Sequence, residues 1–274
     1  MTSATLRSDA AEVLSKVPAV TLGFWVIKVL ATTLGETGGD AVTMSWLHAD
    51  DPATAVPNAY LIGTGIFATA LVVLVVLQIW AKRFNAWLYW ATIVASTTAG
   101  TTMADFFDRS LGIGYAGGSS VLLALVAASL AIWWMSEKTI SVDTVSKPRV
   151  ELFYWVTITF SQTLGTALGD WMADDAGVGF LGGVGVFAGA LVIVAGLYVF
   201  TKVSRVALFW IAFILTRPFG ATMGDLLDKP LNHGGLALSR PIASLVMAVA
   251  IALLILLLPQ RPGSHAPPAA TAAA

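Results

Sequence analysis

The 274-residue chain is 57 % hydrophobic and 11 % charged, with a formal net charge of −1 and no cysteine. Soluble domains carry about 25 % charged residues, so this composition, with a mean hydropathy of +0.81, describes a polytopic membrane protein. It excludes disulfides, thiolate metal ligands and cysteine nucleophiles, and the near-neutral balance offers no basic surface for nucleic acid.

Residues 1–17 are polar and mixed in charge and lack the apolar core of a signal peptide, so they read as a cytoplasmic N-terminal segment. A membrane span needs about 20 mainly apolar residues. Eight such stretches follow, at 18–40, 58–81, 84–107, 112–136, 149–172, 178–201, 203–226 and 236–258. The Pro/Ala-rich segment 259–274 is expected to be a disordered tail.

One pattern occurs four times. An aromatic-Trp pair is followed ten residues after the Trp by Gly and five residues later by Asp. The pairs are Phe24-Trp25, Tyr89-Trp90, Tyr154-Trp155 and Phe209-Trp210; the acids are Asp40, Asp105, Asp170 and Asp225. The spans therefore group as four helical hairpins, about 18–81, 84–136, 149–201 and 203–258. Two spans per repeat send every repeat into the membrane in the same direction, so the repeats are parallel. The expected fold is all-α and integral to the membrane, with eight transmembrane helices as four parallel two-helix repeats. The Gly-rich starts of the even stretches, 112–118 and 177–183, would let helices approach closely.

Lys and Arg set the orientation. Arg7, Lys16, Lys82, Arg83, Lys138, Lys147, Arg149, Lys202, Arg205 and Arg261 fall on one side, and only Arg109, Lys229 and Arg240 on the other. Both termini are thus expected in the cytoplasm of a bacterium, with the chain in the inner membrane. The aromatic-Trp pairs are then expected as an interfacial belt.

Carboxylates are costly in lipid and mark ion pathways or pairing sites there. Thr33, Thr37 and Asp40 fall on one helix face, as do Thr98, Thr102 and Asp105; Thr163 with Asp170 and Thr222 with Asp225 keep part of the stripe. Glu36 adds a second acid one turn before Asp40. Carboxylates with hydroxyls and carbonyls suit hard cations such as Mn²⁺, Ca²⁺ or Mg²⁺. The glycines beside the acids are expected to let the helix open and present carbonyls. Asp108 and Asp228, beside Arg109 and Lys229, read as surface residues. Lys28 and Arg217 lie deep in their stretches, eight residues before Glu36 and Asp225, and are expected to pair inside the bundle.

The stretch from Lys16 to Thr37, the run Thr97-Thr98-Ala99-Gly100-Thr101-Thr102-Met103 and Leu215-Thr216-Arg217-Pro218 resemble a bacterial family of repeat-containing multi-spanning membrane proteins. That resemblance covers about residues 16–258 and implies topology rather than chemistry. Glu36-Thr-Gly-Gly-Asp40 is also similar to the Glu-x-Gly-Asp signature of a manganese/calcium exchanger family, with one extra residue between the acids and without the basic residue that should follow.

The leading expectation is an inner-membrane transporter of a hard cation, a divalent exporter with a Mn²⁺-like substrate. Glu36, Asp40, Asp105, Asp170 and Asp225 would be ligands or proton acceptors. Thr33, Thr37, Thr98, Thr102, Thr163 and Thr222 would line the path, and Lys28 and Arg217 would tune release. The partners are the lipid bilayer and a metal cation or proton, with no resident cofactor. No nucleotide-binding GxxxxGK[ST] motif is present, so an ion gradient would supply the energy. The rival readings are an intramembrane metal-dependent enzyme acting on lipid, with His233 as its base, and a non-catalytic membrane partner or sensor.

Overall fold

The computed structural model describes residues 13–265. Eight long helices dominate: α1 (Leu22–Asp40), α2 (Ala59–Trp80), α3 (Ala86–Asp105), α4 (Tyr115–Glu137), α5 (Pro148–Asp170), α6 (Gly179–Phe200), α7 (Arg205–Asp228) and α8 (Arg240–Leu257). Their ends fall within four residues of the stretches expected from hydropathy. Local signals set the starts. Thr21 accepts from the Phe24 N–H, Asn85 from that of Leu88 and Ser204 from that of Ala207, while α5 begins on Pro148.

The odd helices form the inner bundle. α1 packs on α3 and α7, and α5 packs on the same two, which closes a ring of four. The even helices form an outer layer, and their placement corrects the hairpin expectation. Each packs on the inner helix of the following repeat: α2 on α3, α4 on α5, α6 on α7, and α8 back on α1. A short sheet secures this closure. β1 (Val13–Pro18) pairs antiparallel with β2 (Pro262–His265), with Leu14 opposite Ser264. The expected disordered tail therefore begins as a strand, and Gln260 Oε1 accepts from the Trp90 indole at 3.1 Å. Residues 1–12 and 266–274, which hold most of the expected cytoplasmic segment and the rest of that tail, lie outside the described residues.

Five of the eight helices, α2, α4, α6, α7 and α8, are long and apolar enough to cross a membrane. Large apolar side chains such as Val73, Val192, Ile193, Phe200 and Leu257 face outward from the outer layer, as lipid contact requires. α1, α3 and α5 are richer in Thr, Gly and acids. Neighbouring helices pack against them on several sides.

The aromatic-Trp pairs are interior rather than an interfacial belt. Phe24, Tyr89, Trp90, Tyr154, Trp155, Phe209 and Trp210 are buried in one cluster. Phe24 meets Trp90 and Tyr89 meets Trp155 across helices, at centroid separations of 5.4 and 5.8 Å. The Tyr89 and Tyr154 hydroxyls share a 2.6 Å hydrogen bond. The pairs come together because the four inner helices run parallel and in register. Burial of large rings at the bundle axis is a stronger driving force than their interfacial preference.

Candidate functional site

Counting from each tryptophan, every fourth residue faces the axis, and the four repeats stack in layers. Three residues past the Trp lie Lys28, Ile93, Ile158 and Phe213, and seven past lie Thr32, Thr97, Gln162 and Arg217. Eleven past lie Glu36, Thr101, Thr166 and Ala221, and fifteen past lie Asp40, Asp105, Asp170 and Asp225. All sixteen are buried.

The repeated glycine makes this stacking possible. A Cβ on Gly35 would collide with Thr97, one on Gly165 with Arg217 and one on Gly220 with Thr32; one on Gly100 would meet the Gln162 backbone at 2.9 Å. Each glycine thus receives the side chain seven past the Trp from the next helix in the ring. The expectation that these glycines open the helix is corrected. α1, α3 and α5 stay α-helical through their aspartates, and the irregularity comes just afterwards. Single π-helical turns follow at Ala41–Trp46, Phe106–Ser110 and Trp171–Asp175, whereas α7 continues α-helical to Asp228. Such π turns occur often at functional sites.

At the acid layer, Lys229 Nζ bridges Asp40 at 2.5 Å and Asp225 at 3.1 Å. Arg109 contacts Asp105 at 2.8 Å and Asp170 at 3.8 Å. Each cation follows one of its acids by one turn, at i+4. The ring is therefore two acid–base–acid clamps, one from repeats two and three and one from repeats four and one. Arg109 and Lys229 are members of the site, and Asp108 and Asp228 are buried rather than surface residues. Asp228 lies 3.7 Å from Arg240, and a Cβ on Gly118 would meet an Asp108 oxygen at 2.7 Å.

One layer deeper, the Arg217 guanidinium meets Glu36 at 3.0 Å. It also donates to the Thr101 hydroxyl at 2.6 Å and to that of Thr166. Arg217 therefore pairs across the bundle, not along its own helix with Asp225. Lys28 does not reach Glu36. It is fully buried, its Nζ has no hydrogen-bond partner among the described residues, and it sits 4.2 Å from the Phe213 ring centroid.

Oxygens of Glu36, Asp40 and Asp225 lie within 4.8 Å of one another, close enough to share one cation. Buried oxygens Asp40 Oδ1 and Asp105 Oδ2 have no hydrogen-bond partner among the described residues. Two of the three acids in the first group also hold Lys229, so a metal bound there competes with that amine.

The expected hydroxyl path lies on a different face. Thr33, Thr98, Thr163 and Thr222 donate to carbonyls of their own helices at 2.8–3.0 Å. Thr37 accepts from Ser244 of α8 at 2.9 Å, and Thr102 packs under Gly63 of α2. Thr37, Thr102 and Thr222 thus sit between inner and outer helices, and the hydroxyls around Arg217 come from Thr101 and Thr166. Aligning the repeats seven and eleven residues past the Trp would have found these two. The i+4 spacing from Asp would have found Arg109 and Lys229. His48 and His233 are exposed.

The architecture defines an all-helical protein of membrane character, built from four repeats around a buried ring of ionisable groups. The family whose model matches is described as a Repeat of Unknown Function (DUF347), aligned at residues 23–84, 88–139, 153–204 and 208–260. The chain belongs to that family. No curated protein and no solved structure matches it.

Proposed function

We propose that this chain is a transporter of a hard divalent cation, a Mn²⁺-like ion in the first instance, in a bacterial inner membrane. The observation that carries the reading is a charge imbalance among the groups in direct contact around the four aspartates and Glu36. Five carboxylates, Glu36, Asp40, Asp105, Asp170 and Asp225, contact three cations, Arg109, Arg217 and Lys229. Five minus three leaves two negative charges, which one divalent cation balances. Buried charge without compensation is costly, so the ring favours either that ion or protons in its place. Oxygen donors select hard ions over Zn²⁺ or Cu⁺.

In this reading Glu36, Asp40 and Asp225 take the ion while Lys229 swings from between the last two, and protons return as the ion leaves. All eight helices cross the bilayer. Both termini are cytoplasmic in this reading, because among the described residues the acid end carries only Arg109, Lys229 and Arg240, each already paired to an acid. The aromatic layer then closes the cytoplasmic end of the axis.

The test is ion flux in proteoliposomes, read with an entrapped divalent-sensitive dye across Mn²⁺, Ca²⁺, Mg²⁺ and Zn²⁺, with a pH gradient imposed in either direction. Mn²⁺ flux driven by the gradient supports the reading. A folded protein that moves none of these ions under either gradient refutes it.

A further inference from the structure

One buried carboxylate stands just outside the acid ring and takes no part in its clamps. Asp228 follows Asp225 by three residues, about 4.5 Å farther along α7. Its side chain is fully buried, and neither oxygen has a hydrogen-bond partner among the described residues. It lies within electrostatic reach of Asp40, Asp225 and Lys229. A carboxylate removed from water needs an opposite charge and hydrogen bonds in return. Among the described residues its one ion pair is with Arg240, whose Nε stands 3.7 Å away.

Arg240 is held loosely. On its other side it meets Asp50 at 3.4 Å, and its Nε has no hydrogen-bond partner among the described residues. Lys229, by contrast, grips Asp40 and Asp225 at 2.5 and 3.1 Å. Arg240 is also the first residue of α8, and the partial positive charge of a helix N-terminus disfavours a cation there. The chain between α7 and α8 puts it in place. The N–H groups of Leu236 and Leu238 donate to the Leu226 and Leu227 carbonyls at 2.8 Å, and that of Ala237 to Lys229 at 2.9 Å. The link thus folds back along α7 and delivers Arg240 to Asp228. Ala237 takes a left-handed φ of 53° to make this turn, a conformation costly for a residue with a Cβ.

Side-chain exposure rises outward along this line. It is 2 % at Asp225 and nil at Asp228, then 14 % at Arg240 and 44 % at Asp50. The order of burial places Asp228 between solvent and the group of Glu36, Asp40 and Asp225 that can share a cation, with Arg240 across it.

We propose that Asp228 is a second site for a hard divalent cation, a station between the ring and solvent. The Arg240 guanidinium occupies it as a tethered stand-in until an ion displaces it. Its place in a path rests on the transport reading, but the site itself is tested without flux. One carboxylate, with water completing the shell, holds such an ion weakly, which suits a station that must also release it.

The test counts Mn²⁺ bound to the full chain in detergent, from the electron paramagnetic resonance signal of the free ion, up to millimolar Mn²⁺. Arg240→Gln removes the guanidinium and should bind one ion more per chain than wild type. Arg240→Gln combined with Asp228→Asn should return to the wild-type count. No gain in Arg240→Gln overturns the proposal and leaves the pair a structural tether. A gain that persists in the double variant overturns it too. The wild-type count tests the ring separately. A wild type that binds none, beside an Arg240→Gln that gains one, counts against the ring and leaves the Asp228 site standing. Should Arg240→Gln fail to fold, Asp228→Asn decides by Mn²⁺ flux in proteoliposomes. Flux at least tenfold below wild type supports the station, and equal flux overturns it.

Discussion

Replacing Arg217 by Met removes, among the described residues, the only cation paired with Glu36 and leaves its carboxylate buried at the bundle axis. Breaking a buried pair by removing one partner costs about 3–5 kcal/mol, because the remaining charge is uncompensated. The hydroxyls of Thr101 and Thr166 lose their charged donor at the same time. For a chain above 150 residues each kcal/mol moves the melting temperature by roughly 2–4 °C, so Arg217→Met should melt roughly 6–20 °C below wild type. Glu36→Gln removes the stranded charge. In the Arg217→Met background it should recover at least half of the loss, since replacing both members of a buried pair is often near neutral. The assay is thermal unfolding of purified protein in detergent, followed by tryptophan fluorescence, for wild type, both single variants and the double variant. A single variant Arg217→Met that melts within 2 °C of wild type would refute the reasoning. So would a double variant no more stable than Arg217→Met, since the coupling would then be zero.

Gly165→Ala places a methyl against the Arg217 Cβ and Cγ, close to the α7 backbone. It should destabilise by about 1–3 kcal/mol, whereas Gly185→Ala, with open space at its Cβ, should be neutral or stabilising by up to about 1 kcal/mol; the same unfolding assay compares them. Asp105→Asn, Asp170→Asn and Asp225→Asn should each abolish divalent flux in proteoliposomes while the protein still folds, and Asp50→Asn, at a half-exposed site, should leave flux near wild type. Unchanged flux in all three ring variants would reduce the acids to a structural role. Tyr89→Phe leaves the Tyr154 hydroxyl without its 2.6 Å partner and should cost about 1–3 kcal/mol; equal melting of variant and wild type counts against the buried pair. A reporter active only outside the cytoplasm, fused after Ala274, should be silent, and strong activity would reverse the proposed orientation.

Hydropathy and spacing alone located the eight helices and the fourfold repeat, because length, apolar content and a repeated Trp–Gly–Asp spacing are local properties of a chain. The same spacing put the four aspartates in one layer, since helices that start in register and rise equally per residue deliver equivalent positions to the same height. The inward face was not legible. Thr32 and Thr33, Thr97 and Thr98, and Thr101 and Thr102 are adjacent pairs, so a hydroxyl stripe can be drawn on either of two faces about 100° apart. Ring packing chose between them, because only the residue seven past each tryptophan fits the gap left by the neighbouring helix's glycine. Arg109 and Lys229 lie beyond the apolar stretches and read as loop residues, yet helical continuation past the aspartates carries them back onto the acids. The partner of Arg217 was likewise a tertiary decision. Glu36 is 181 residues away in sequence, and the two meet because α1 and α7 are neighbours in a closed ring. The chain's hydrophobic pattern dictates that each helix forms, while the distance between any two of them is set by the side chains that must fit between their axes.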